Sequence, residues 1–178
     1  MFLKGNLIVS ALFSREEVTS LTKQEIIERL NYLRATELFA IQQYMNHHYR
    51  VKGMDFSDIR DIERSIALVE MKHAEMLAER INMLGGNPIT NPAQVSQLKT
   101  SQVNTSEDSR GMLMADLELE RGAIRDYTKA IQDIGDGDPG IRKMLEDILI
   151  QEEEHADTFG TWLGEKQAYA IGELKGAA

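Results

Sequence analysis

Apolar residues recur at steps of three and four along four long stretches of the chain, the spacing that gathers side chains onto one face of an α-helix. The first stretch carries Ile26, Leu30, Leu33, Ile41 and Tyr44, with Glu37 and His48 on the same stripe. Thr22-Lys-Gln-Glu25 opens it as a capping box, a hydroxyl three residues ahead of a carboxylate, and Gly53 marks its expected end. The second begins near Ser57 or Asp58 and presents Ile62, Ile66, Val69, His73 and Leu84 before the stop Gly85-Gly86-Asn87-Pro88. The third starts around Thr105–Ser109, shows Leu113, Leu117, Glu120, Ile124, Tyr127 and Ile131, and ends at Gly135-Asp-Gly137. Asp138 as N-cap and Pro139 at the first helical position open the fourth, in which Leu145, Ile148, Glu152, His155, Phe159 and Trp162 run to Gly164.

This pattern predicts an all-α fold, an antiparallel four-helix bundle over residues 22–164. The polar connection 85–105 is long for a hairpin. A helix of ~26 residues measures about 39 Å, and about 20 extended residues reach that far. The connection is therefore expected to cross over along the whole bundle. Residues 1–21 read as an N-terminal extension and 165–178 as a tail with room for a short fifth helix. The apolar patch Leu7–Phe13 is too short to cross a bilayer and has no A-x-A cleavage pattern, so a cytoplasmic protein without membrane partners is expected.

Composition narrows the chemistry. The formal net charge of −9 repels nucleic-acid phosphates and attracts small cations, so no nucleic-acid partner is expected. The absence of cysteine excludes disulfides, thiolate zinc sites and cysteine-held iron–sulfur centres. A transition metal must then use carboxylates and the four histidines, His47, His48, His73 and His155.

Two halves of the chain repeat. Glu37-Leu-Phe-Ala-Ile-Gln-Gln-Tyr44 and Glu120-Arg-Gly-Ala-Ile-Arg-Asp-Tyr127 both read E-x-x-A-I-x-x-Y; Glu70-Met-Lys-His73-Ala and Glu152-Glu-Glu-His155-Ala both read E-x-x-H-A. The first Glu precedes its E-x-x-H by 33 residues in one half and 32 in the other. Positions i and i+3 share a helix face, so each Glu–His pair can reach one metal centre, and each needs carboxylates from other helices. Four buried carboxylates alone would repel one another and resist ionising. Two divalent cations cancel their four charges, and imidazole with carboxylate suits iron or manganese, with zinc also able to bind. Glu37, Glu70, His73, Glu120, Glu152 and His155 are the candidate ligands. Asp116 and Glu118 compete with Glu120, but Glu120 lies on the Leu113–Leu117–Ile124–Tyr127 stripe, Glu118 is rotated off it, and Glu120 is the ligand chosen; Glu153 and Glu154 are left to solvent. His48 falls on the inner stripe as a hydrogen-bonding residue, His47 is expected at the surface or an interface, and neither has a ligand partner in the pattern.

These motifs, with V-E-M-K-H-A at 69–74, D-L-E-L-E at 116–120 and I-L-I-Q-E-E-E-H at 148–155, make residues 22–164 resemble the bacterioferritins and their relatives in the ferritin-like superfamily. The resemblance implies a di-iron centre in which Glu70 and Glu152 bridge, Glu37 and Glu120 are terminal, and His73 and His155 each supply one nitrogen. Tyr44 would be a catalytic neighbour able to donate an electron; its repeat mate Tyr127 reads as a core aromatic. The implied function is ferroxidase and iron storage, Fe²⁺ oxidised by O₂ or H₂O₂ and the ferric product kept in a homo-oligomeric shell of 12 or 24 subunits. A di-metal peroxidase or catalase without storage is the alternative. Met71 matches the position of a haem b ligand between paired subunits, and would otherwise be a subunit contact. The extension and short tail suit a 12-subunit Dps-like shell.

Overall fold

The structure, a computed structural model, describes residues 21–99 and 101–165. Five α-helices follow one another: α1 (Lys23–Arg50), α2 (Phe56–Met83), α3 (Pro92–Leu98), α4 (Ser109–Ile134) and α5 (Pro139–Leu163). The expected extension and tail lie, but for Leu21 and Glu165, outside the described residues.

Local chemistry sets most helix ends. Thr22 and Glu25 form the reciprocal capping box at α1. At the end of α2, Gly85 takes a φ of 74° and Gly86 N–H donates to Ile81 O at 2.9 Å, closing a Schellman motif that a residue with a Cβ would strain. Asp138 accepts from Ile141 N–H at 2.9 Å with Pro139 behind it. Asp138→Ala is expected to cost about 1 kcal/mol of stability, the usual worth of such a cap, measured by urea unfolding.

The short links 51–55 and 135–138 make α1–α2 and α4–α5 antiparallel hairpins, and these pairs pack most extensively. The hairpins are then joined as the sequence predicts. The crossover leaves α2 beside the start of α1 and reaches α4 beside its end. Polar side chains of α1 hold it along the way: Ile89 N–H donates to Asn31 at 2.9 Å, Arg34 donates to Ile89 O at 2.9 Å, and Asn104 N–H donates to Gln43 at 2.6 Å. Arg50 closes the series by donating to Thr105 O at 3.1 Å. At the other end of α4, Asp133 pairs with Arg29 at 2.7 Å, so α4 runs antiparallel to α1.

Inside the crossover the chain forms α3, which the periodicity did not predict. Seven residues are too few for a helical stripe to show. Asn91 caps it by accepting from Ala93 N–H, Pro92 opens it, and Val95 is buried with Ala35, Phe39 and Ile89. Trp162, expected on the inner stripe of α5, is 39% exposed. It lies in the last turn of the helix.

Two apolar layers fill the bundle. One contains Leu30, Leu33, Leu77, Ile81, Tyr127, Leu145 and Ile148. The other contains Tyr44, Ile59, Ile66, Met112, Leu117 and Phe159. On α1, α2 and α5 a glutamate separates the residues of one layer from those of the other, and on α4 Glu120 does so except for Ile124, which packs with Met112 and Leu117.

Candidate metal centre

Each of the four long helices sends one glutamate into the gap between the apolar layers, and α2 and α5 add a histidine one turn on. Glu37, Glu70, His73, Glu120, Glu152 and His155 are all buried, His155 the least so at 8% exposure. Their donor atoms form two groups, Glu37–Glu70–His73–Glu152 and Glu70–Glu120–Glu152–His155, each with all atoms within 4.8 Å of one another. Glu70 and Glu152 belong to both. All six residues singled out by the repeat thus meet in one place.

The contacts between them are close, and one of them, His73 Nδ1 to Glu70 Oε2, is a hydrogen bond; the others lack hydrogen-bond geometry. His73 Nδ1 lies 2.9 Å from Glu70 Oε2 and 2.9 Å from Glu152 Oε1; His155 Nδ1 lies 2.9 Å from Glu70 Oε1 and 3.7 Å from Glu120 Oε1. Yet Glu70 Oε1, Glu152 Oε1, His73 Nε2 and His155 Nδ1 have no hydrogen-bond partner among the described residues. Atoms this near one another without hydrogen-bond angles point at a common space rather than at each other. Buried polar groups are ordinarily satisfied, so this set fits a pair of cations by its own geometry and by its carboxylate–imidazole chemistry.

The electrostatics agree. Burial, and then the charge of Glu70, pushes the Glu37 and Glu152 carboxyls well above the usual range; burial, and then Glu152, does the same to Glu120. Glu70 differs: burial acts to raise it, but the His155 and His73 rings beside it prevail and hold it at about 2. Without cations, the pocket favours a charge on Glu70 and disfavours it on Glu37, Glu120 and Glu152.

The tyrosines of the repeat serve the opposite halves. Tyr44 on α1 donates its hydroxyl to Glu120 on α4, and Tyr127 on α4 donates to Glu37 on α1. Both rings are fully buried. Tyr127, read from the sequence as a core aromatic, is that and also a partner of the site. Met71, one residue past Glu70, points away from the pocket and is 54% exposed.

A second group was missed. His47, expected at a surface or interface, is wholly buried, and it meets Glu63 and Asp116 within 4.8 Å. Asp116, set aside in favour of Glu120, is buried as well. Its signal was present: Asp116 lies one turn before Glu120 and Glu63 two turns before Glu70, on the same helix faces. His48, as expected, is a buried hydrogen-bonding residue, its Nδ1 2.8 Å from Arg60 O.

A duplicated four-helix bundle with carboxylates from every helix and paired E-x-x-H motifs defines a class, and the chain belongs to it: the ferritin-like domain family, whose model matches residues 27–168. Among known members, it is 36% identical over 134 residues to a bacterioferritin of Desulfovibrio desulfuricans, covering 75% of this chain and 71% of that one. A solved bacterioferritin from that species, described with a diiron site, matches with a TM-score of 0.72 at 32% identity over 85% of each chain. A Synechococcus nutrient stress-induced DNA-binding protein is 33% identical over 144 residues, covering 78% of this chain and 80% of that one. The dodecameric thioferritin of Bacteroides fragilis, a bacterioferritin-related protein, matches with a TM-score of 0.77 at 27% identity, covering 82% and 88%.

Proposed function

We propose that this chain is a ferroxidase and iron-storage subunit, binding two Fe²⁺ at Glu37, Glu70, His73, Glu120, Glu152 and His155. The observation that carries the reading is that two donor groups share Glu70 and Glu152, so two ions bind side by side with those carboxylates between them. Iron is the substrate here: each Fe²⁺ gives one electron to O₂ or H₂O₂. The histidines and the terminal carboxylates Glu37 and Glu120 hold one ion each. Tyr127 and Tyr44 orient those terminal carboxylates by donating to them, and Tyr44 is the proposed source of a further electron. The apolar layers on both sides keep water from replacing the protein ligands. The surplus negative charge of the chain draws Fe²⁺ to it.

Storage requires a hollow shell, and a shell of 12 or 24 copies is the proposed assembly; among the relatives, the Bacteroides fragilis protein is described as dodecameric. Among the described residues no helix is long and apolar enough to cross a membrane, and the location proposed is the cytoplasm. Nucleic acid is not proposed as a partner, because a chain of −9 charge repels it. The test is a measurement of assembly mass together with Fe²⁺ oxidation. Chains of 20.1 kDa in a 12- or 24-fold assembly that accelerates oxidation and retains the ferric product are expected. A dimer that oxidises iron and retains none would leave the di-metal enzyme without storage.

The outward Met71 is the proposed haem b ligand at a subunit pair. Absorption spectra of protein produced with haem supply are expected to show a Soret band that is lost in Met71→Ala. A band unchanged by that substitution assigns the ligand elsewhere.

A further inference from the structure

Three helices bring His47 (α1), Glu63 (α2) and Asp116 (α4) together outside the six-residue pocket, and none of the three exposes any surface. His47 Nδ1 lies 2.8 Å from Asp116 Oδ2 and 3.9 Å from Glu63 Oε1. Both carboxylate oxygens of Glu63, and Oδ1 of Asp116, lack a hydrogen-bond partner among the described residues. Three orphaned oxygens in one dry place are costly unless something positive sits among them.

We propose that His47, Glu63 and Asp116 form a second metal site, taking one divalent cation of the Zn²⁺ or Fe²⁺ class. Two carboxylates and a neutral imidazole match such an ion in charge and in ligand preference. The groups around the imidazole keep it neutral, the form that coordinates: burial lowers its basicity, and the nearby Arg50 guanidinium acts in the same direction against the pull of Glu63. Burial, and then the Asp116 charge, raises Glu63 to about 10, and burial raises Asp116 to about 8.

Gln43 controls both the tautomer and the way in. Its amide nitrogen is 2.7 Å from His47 Nε2, while its oxygen accepts from Asn104 N–H of the crossover at 2.6 Å. The orientation places the ring proton on Nδ1, facing Asp116. Coordination through Nδ1 moves that proton to Nε2, so the Gln43 amide must turn its oxygen to receive it and release Asn104 N–H. Gln43 and Asn104 also line a surface recess of about 380 Å³, between α1, α4 and the crossover. The turn that admits the new tautomer also shifts the side chain standing between this recess and His47.

The experiment uses the full-length assembly with Zn²⁺, which occupies such ligands without being oxidised. Crystals equilibrated with Zn²⁺ and recorded at the zinc edge are expected to show anomalous density among His47, Glu63 and Asp116. Native mass spectrometry should count three ions per chain in the wild type and two in Glu63→Gln. Hydrogen exchange at the Asn104 amide should quicken on loading. Density confined to the six-residue pocket, or an unchanged count in Glu63→Gln, overturns the proposal. Density at the triad with an empty six-residue pocket would support this site and reject the ferroxidase reading, so the two stand or fall separately.

Discussion

Glu152→Gln is expected to slow protein-catalysed Fe²⁺ oxidation by roughly 100-fold or more without weakening the metal-free chain. Glu152 stands in both donor groups, so the substitution damages both ion positions at once. It also leaves two divalent ions facing three carboxylates, with an amide oxygen as a poor substitute ligand. The metal-free fold responds differently. There burial, Glu70 and Glu37 all work against a charge on Glu152. Gln replaces a group already held neutral, at nearly the same size, and the metal-free chain should be as stable or more so. What disappears is stabilisation by metal, about 2.7 kcal/mol for a ligand at a hundred times its Kd. Oxidation kinetics and unfolding with and without Zn²⁺ check both halves. Unimpaired oxidation would remove Glu152 from the site. A large loss of metal-free stability with the metal effect intact would make it a structural residue.

Raising the pH from about 5 to about 8 should destabilise the metal-free protein by several kcal/mol, each retained proton costing about 1.4 kcal/mol per pH unit. The sign follows from raised carboxyls. Glu63 moves from 4.5 to about 10 and Asp116 from 3.8 to about 8, so the folded chain keeps protons that the unfolded chain releases. Their stabilising effect is complete below the ordinary carboxylate range and is lost as pH rises toward 8 and then 10. Burial sets Glu37, Glu120 and Glu152 in the same direction. Glu70, held at about 2, works oppositely, but its effect fades only as pH falls below the usual carboxylate range and is flat in this window; His47, lowered by burial, also works oppositely and adds stability as pH rises through the ordinary histidine range, one group against five. Cations displace the protons, so the stabilisation by Zn²⁺ should grow across the same interval. Urea unfolding of chelator-treated protein at three pH values measures this. A flat or rising profile would mean that these carboxyls are not held neutral.

The six residues of the pocket could be read in advance because the chain repeats itself and E-x-x-H is a one-turn relation. The crossover could be read because its length matches a helix, and α1 supplies Asn31, Arg34 and Gln43 to hold it. His47 and His48 show where such reading fails. Adjacent residues on a helix differ by about 100°, and the stripe of α1 is wide enough to face either one inward. The sequence favoured His48 for the interior; the bundle buries both and turns His47 toward Glu63 and Asp116.

The amino-acid order alone sets where the four long helices start and stop, which face of each is apolar, and which glutamates of the repeat share those faces. These are properties of hydrogen bonds and side chains within a turn or two of chain. Packing of the folded bundle is what sets Tyr44 against Glu120 and Tyr127 against Glu37, each reaching into the other half. It alone drew His47, Glu63 and Asp116 into a separate group. Such pairings depend on the rotation of each helix about its axis and on its height against three neighbours, and those are settled by packing among residues far apart in the chain.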